Sequence, residues 1–146
     1  MTLEDSQMKE IINLIISHEG FRSKVYKCPA GKLTIGYGRN LEDKGISDSE
    51  AMFLLMNDVL STERDISMML PFFENLSYPR QCVLIDMGYN LGLQGLMEFK
   101  KMLEALHDGD YDKASKEMLD SKWAKQVGNR AIELSDIIKT SKFTEK

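Results

Sequence analysis

Apolar positions Met8, Ile11, Ile12, Ile15 and Ile16 recur at i, i+3, i+4, i+7 and i+8, which predicts a helix from Thr2 to about His18 with one apolar face. Thr2 and Ser6 are candidate caps, and Gly20 is placed to end the helix. The period then changes. Two short runs, Lys24–Lys27 and Lys32–Tyr37, flank Cys28-Pro29-Ala30-Gly31, whose Pro and Gly form turns, and together they predict a small β-hairpin. Ser47-Asp48-Ser49-Glu50 has the capping-box pattern, and Met52, Leu55, Met56, Val59 and Ile66 carry a helix towards Leu70, where Pro71 stops it. Ser77-Tyr78-Pro79 opens another, in which Cys82, Val83, Leu84, Ile85 and Met87 leave hardly any polar face; its place is a buried centre, with Gly88 and Gly92 bracketing its end. Further helices are expected at about Leu96–His107, Asp110–Leu119 and Asn129–Lys139, with connecting stretches at His107-Asp108-Gly109 and around Trp123 and Gly128. The tail after Thr140 is polar and expected to fray. The fold class is α+β, mainly helical: one domain, 1–146, with a small hairpin lobe at about 20–46 and a helical lobe at about 47–140 that the N-terminal helix joins.

Composition adds few constraints. The 146 residues are 42% hydrophobic and 29% charged, enough for a packed core and too mixed for long disorder, and no stretch nears the roughly 20 apolar residues of a membrane span. No stable membrane association is expected. Glu4 and Asp5 precede a periodic rather than continuous apolar run, unlike an export signal, so synthesis in the cytoplasm without a signal peptide is expected. Cys28 and Cys82 read as free thiols in that setting. A net charge of −4 with scattered Lys and Arg argues against nucleic-acid binding, and equally gives no long-range attraction to an anionic surface. No His or Cys spacing suggests zinc, so no metal and no cofactor is called for.

The chemistry gathers after the first helix. Four residues beyond Ile15 the apolar stripe reaches Glu19, a carboxylate beside an apolar face, where desolvation favours the protonated acid that a general acid needs. A solvated helix-end Glu fits the helix geometry as well. Next come Glu19-Gly20-Phe21-Arg22, Val25-Tyr26-Lys27-Cys28 and Gly31-Lys32-Leu33-Thr34-Ile35-Gly36-Tyr37-Gly38. This segment resembles the active-site signature of phage lysozymes of the T-even and lambdoid-endolysin type: a Glu, eight residues, an Asp or sometimes a Cys, five residues, then the Thr of T-I-G-x-G, met here by Glu19, Cys28 and Thr34. A weaker likeness covers Arg80–Met87 with Tyr89-Asn90-Leu91-Gly92, Ser121-Lys122-Trp123 and Asn129-Arg130-Ala131.

The resemblance implies a lysozyme-like fold, with the two lobes around a cleft and Glu19 at their junction. It also implies hydrolysis of the β-1,4 bond between N-acetylmuramic acid and N-acetylglucosamine in peptidoglycan. Glu19 would protonate the leaving oxygen while Cys28 and Thr34 position the water, with inversion at the anomeric carbon. Arg130 would pair with the acid, although a surface Arg fits the residue as well. Gly36 and Gly38 would serve backbone geometry and close approach. Tyr89, Asn90 and, more weakly, Asn40 are substrate-binding candidates, with helix termination and packing the competing explanation for the first two. Trp123 reads as core. A monomer is expected, acting on the cell wall after release through a separate holin-like pore protein. The alternative is a catalytically impaired wall-binding or interaction protein with the lysozyme shape. It is favoured by Cys28 standing where many members carry Asp.

Overall fold

The computed structural model describes residues 4–143, so the candidate cap Thr2 lies outside the described residues. The chain divides into two units by internal packing, Met1–Phe53 and Leu54–Lys146. Among the described residues no helix is long and apolar enough to cross a membrane.

In the first unit, α1 (Asp5–Glu19) starts at Glu4, whose backbone N–H donates to Gln7 Oε1 at 3.0 Å as half of a capping box. Ser6, expected as a cap, lies inside the first turn instead, because the Glu4–Gln7 pair already satisfies the free amides there. Gly20, at φ 69°, ends the helix with its N–H on Ile16 O, as expected. Three antiparallel strands follow, β1 (Arg22–Lys27), β2 (Leu33–Gly36) and β3 (Arg39–Asn40), in the order β1-β2-β3. The hairpin is therefore part of a three-stranded sheet; β3, at two residues, is too short to show a period of its own. Thr34 sits in register between Tyr26 and Asn40. The β1–β2 turn closes through Gly31 N–H to Cys28 O at 2.7 Å and Cys28 N–H to Lys32 O at 3.0 Å, with Pro29 setting the chain direction.

The expected capping box opens α2 (Asp48–Met69), with Ser47 N–H donating to Glu50 Oε1 at 2.8 Å and Glu50 N–H to Ser47 Oγ at 3.2 Å. Arg39 binds the same carboxylate with both terminal nitrogens. Its hydrogen bonds, reinforced by those from Ser47, hold the Glu50 carboxyl at about 2, well below the usual carboxylate range.

The second unit is built on α3 (Tyr78–Met97), with Ser77 at its N-cap and Pro79 in its first turn. Val83, Leu84 and Met87 are wholly buried, as the apolar run predicts. Gly88 does not end this helix. It is buried within it, and the break falls at Gly92 (φ 78°, ψ 163°), after which helical structure resumes to Met97. The helix expected from Leu96 thus begins as α4 (Lys100–His107), because Leu96 and Met97 belong to the end of α3. Next comes α5 (Tyr111–Leu119), where Asp110 Oδ1 accepts from Lys113 N–H at 3.1 Å. The stretch around Trp123 is helical too, as α6 (Lys122–Val127), with Ser121 Oγ capping Ala124 N–H at 3.1 Å; as a six-residue element it shows little periodicity. After α7 (Asn129–Thr140) the chain is tied rather than frayed through residue 143: Ser141 Oγ donates to Ser77 Oγ at 2.6 Å and Phe143 packs edge-on against Tyr78. Ile66, Leu84, Met87, Leu96, Met102, Leu106, Met118 and Ile138 form the buried centre of this unit.

Candidate functional site

Gly20 ends α1 immediately after Glu19, so the carboxylate sits where the chain turns into the sheet. It lies against the turn after β2. A Cβ built on Gly38 would stand 2.7 Å from Glu19 Oε2 and 2.8 Å from its Cδ. A side chain at this position would displace the carboxylate from where it lies, and φ 81° at Gly38 favours glycine independently. The close approach expected of both motif glycines is thus found at Gly38. Gly36 has φ 69° with nothing within 4 Å of such a Cβ, so its requirement is the backbone angle alone. Glu19 itself is exposed, and its surroundings in this unit do not supply the apolar burial suggested by the stripe along α1.

Cys28 and Thr34 come together across the β1–β2 turn. Cys28 is partly buried and free. The Lys32 backbone amide beside it pulls the thiol below its ordinary value, opposed by desolvation and aided by the Ala30 amide and the Thr34 hydroxyl. Thr34 contributes little to that pull, because its single hydroxyl proton is directed at Lys32 O, 2.8 Å away. At 3% exposure Thr34 is buried, whereas a threonine on an outer strand face would be open to water. Asn40, opposite Thr34 in β3, has its side-chain amide engaged with Asp43: Oδ1 accepts from Asp43 N–H and Nδ2 donates to Asp43 Oδ2, both at 3.0 Å.

The remaining candidates belong to the second unit. Asn90 Oδ1 accepts from the Trp123 indole at 2.8 Å, which fixes the amide so that its Nδ2 is the end left for another partner. Trp123 is core, as expected, and meets Phe99 edge-on. Tyr89 is half exposed. Arg130 Nε donates to Asp86 Oδ1 at 2.8 Å, and the guanidinium also reaches Asp86 O. Nothing in the sequence marks Asp86: its partner is 44 residues away, and no local pattern joins two such positions. The same holds for Asn90 and Trp123, 33 residues apart. Among the described residues, no group of three or more His, Cys, Asp or Glu side chains is placed to hold a metal ion.

A family model described as phage lysozyme matches residues 16–137. Among curated proteins, the chain is 32% identical to an endolysin of Acyrthosiphon pisum secondary endosymbiont phage 1, over 86% of each chain. It is 36% identical to an endolysin of Bacillus phage B103, over 80% of this chain and 45% of that one. The pre-baseplate central spike protein Gp5 of Enterobacteria phage T4 matches at 28% identity, over 94% of this chain and 29% of the spike protein. This chain therefore spans less than half the length of the last two relatives.

Proposed function

The chain belongs to the phage lysozyme family, and we propose that it hydrolyses peptidoglycan at the β-1,4 bond between N-acetylmuramic acid and N-acetylglucosamine. The observation that carries this reading is the seating of the Glu19 carboxylate against Gly38, in the same unit as the Cys28–Thr34 pair. With no side chain at Gly38 in its way, the exposed carboxyl group has room to present its proton there, as a general acid requires.

In the proposed reaction, Glu19 gives its proton to the glycosidic oxygen as the bond to the anomeric carbon breaks. Water attacks that carbon from the opposite face and passes its own proton to Cys28. The amides of Lys32 and Ala30 favour the thiolate, the form of the sulfur that can take up a proton. Thr34 Oγ1, held through Lys32 O, orients the water. Attack by water inverts the anomeric centre. Arg130 is tied to Asp86, and we assign the pair the task of fixing α7 against α3.

The test is release of soluble dye from dye-labelled peptidoglycan by the wild-type chain and by Glu19→Gln. The amide keeps size and hydrogen bonding but carries no proton to give, so release should stop while the far-ultraviolet spectrum is unchanged. Release at wild-type rate by this variant would refute the general-acid role. A wild-type chain that binds peptidoglycan without releasing dye would instead favour the impaired wall-binding protein, for which Cys28 in place of a carboxylate is the supporting observation.

A further inference from the structure

Helices α5 and α7 pack along one another, and a cavity of about 660 Å³ opens between them in the second unit. That volume is within the roughly 300–1,000 Å³ of small-ligand pockets. Ile132, Glu133, Asp136 and Lys139 line it from one side of α7, and Ser115 and Leu119, four residues apart, line it from α5. Two of its hydroxyls are more than nine-tenths buried, Ser115 at 8% exposure and Ser135 at 3%. Ser135 Oγ donates to Ile132 O at 2.9 Å, so only its lone pairs are left for another partner. Ser115 Oγ has no hydrogen-bond partner among the described residues, and yet no side-chain polar atom there is both unpartnered and sealed from solvent; the hydroxyl therefore opens on the cavity that it lines. Packing does not explain this serine, because alanine would fill the same helical position with a better propensity and no unpaired hydroxyl. Beside it Leu119 and Ile132, 45% and 59% exposed, leave apolar surface uncovered.

Hydrogen-bonding capacity and charge together select a ligand. Ser135 Oγ and the carboxylates of Glu133 and Asp136 can only accept, and among the described residues neither carboxylate is in an ion pair or a side-chain hydrogen bond. Lys139 is the only cation among the described lining residues, so the two carboxylates leave the cavity with a negative balance that disfavours an anionic head. An ammonium group brings three N–H donors, no acceptor and a positive charge. We propose that this cavity binds an aliphatic ammonium, whose N–H groups donate to Ser115 Oγ, Ser135 Oγ and the Asp136 carboxylate while its carbon chain covers Leu119 and Ile132. Free alkylamines and the lysine side chain of a polypeptide share this chemistry. The site belongs wholly to the second unit and does not rest on the hydrolysis proposed above.

The experiment titrates the ¹⁵N-labelled full chain at neutral pH with hexylamine, 1-hexanol and hexanoate, which share a carbon chain and differ in the head, and with Nα-acetyl-lysine methylamide. It is run on the wild type, Ser115→Ala and Asp136→Asn. Saturable shifts of the Ser115 and Ser135 amides are expected with hexylamine, at roughly tenfold higher affinity than with hexanol, as expected of hydrogen bonds to a charged group, and none with hexanoate. Ser115→Ala should melt no lower than the wild type and bind hexylamine several-fold more weakly, which a merely structural serine would not do. Asp136→Asn, at an exposed position, should lose most of the preference for hexylamine over hexanol, and it decides alone should Ser115→Ala fail to fold. Shifts of the same amides with the lysine derivative would identify a polypeptide side chain as the source, and shifts with hexylamine alone a free amine; either outcome bears out the site. Equal affinity for the three heads would reduce the cavity to an apolar crevice and overturn the proposal. Tighter binding of hexanoate, shifts that bypass Ser115 and Ser135, or unchanged affinity in both variants would overturn it as well.

Discussion

Replacing Gly38 by alanine separates two demands that the structure places on one residue. The added methyl would stand 2.7 Å from Glu19 Oε2, closer than real contacts allow, so one of the two must move. The carboxylate is the end of a flexible side chain and swings away easily, so the overlap itself costs little stability. The φ of 81° costs more: an L-residue in the left-handed region is disfavoured by roughly 1–2 kcal/mol. A domain of this size should then melt about 2–8 °C lower. Catalysis has no such tolerance, since misplacing a reacting group by about 1 Å can cost on the order of 100-fold. Gly36→Ala is the matched control, because φ is 69° there and nothing lies within 4 Å of the new Cβ. Thermal unfolding and dye release from peptidoglycan, measured on both variants, should give similar melting losses and a large activity loss in Gly38→Ala alone. Equal activity in the two variants would refute the claim that the space left by Gly38 sets the position of the Glu19 carboxylate.

Cys28→Asp should retain or raise activity, because a carboxylate is ionised at neutral pH and accepts the water's proton, while Cys28→Ala should be strongly impaired; full dye release by the alanine variant would return Cys28 to a filler of the turn. The Glu50 carboxyl is held at about 2 against an ordinary value of 4.5, so its contribution to stability is complete above 4.5 and fades as pH falls towards 2. The melting temperature of Glu50→Gln should therefore lie below wild type at neutral pH and converge with it near pH 2, and a constant gap would contradict the Arg39 assignment. Leu84→Ala, at a wholly buried site, should cost about 2–5 kcal/mol in urea unfolding, whereas Asp86→Ala, which breaks a pair whose side chains are each about 40% exposed, should cost about 1 kcal/mol or less.

Local codes were legible in the sequence. The Ser47–Glu50 box, Gly20 at the end of α1 and the apolar run of α3 each depend on residues within a few positions of one another. Where two local codes compete, type alone misleads: Ser6 looks like a cap, but the Glu4–Gln7 pair that brackets it in the same turn takes the role. Elements too short to show a period, β3 and α6, left no trace in the pattern. A polar tail reads as frayed unless its partner is known, and the Ser77 hydroxyl that holds Ser141 is 64 residues away. The candidate site follows the same division. The motif from Glu19 to Gly38 marks the residues, whereas the placement of Gly38 under the Glu19 carboxylate and of the Lys32 amide beside Cys28 follows from the path of the folded backbone. So did the bonds of Asn90 to Trp123 and of Arg130 to Asp86, which span tens of residues and follow from packing rather than from any pattern.

The most direct measurement of the proposed chemistry is the anomeric configuration of the first product, followed by proton NMR during hydrolysis of purified glycan strands before mutarotation scrambles it. Water attacking opposite Glu19 should release the α-anomer of N-acetylmuramic acid at the new reducing end, and Glu19→Gln should release none. Initial accumulation of the β-anomer would contradict single-step attack by water and point to a covalent glycosyl intermediate.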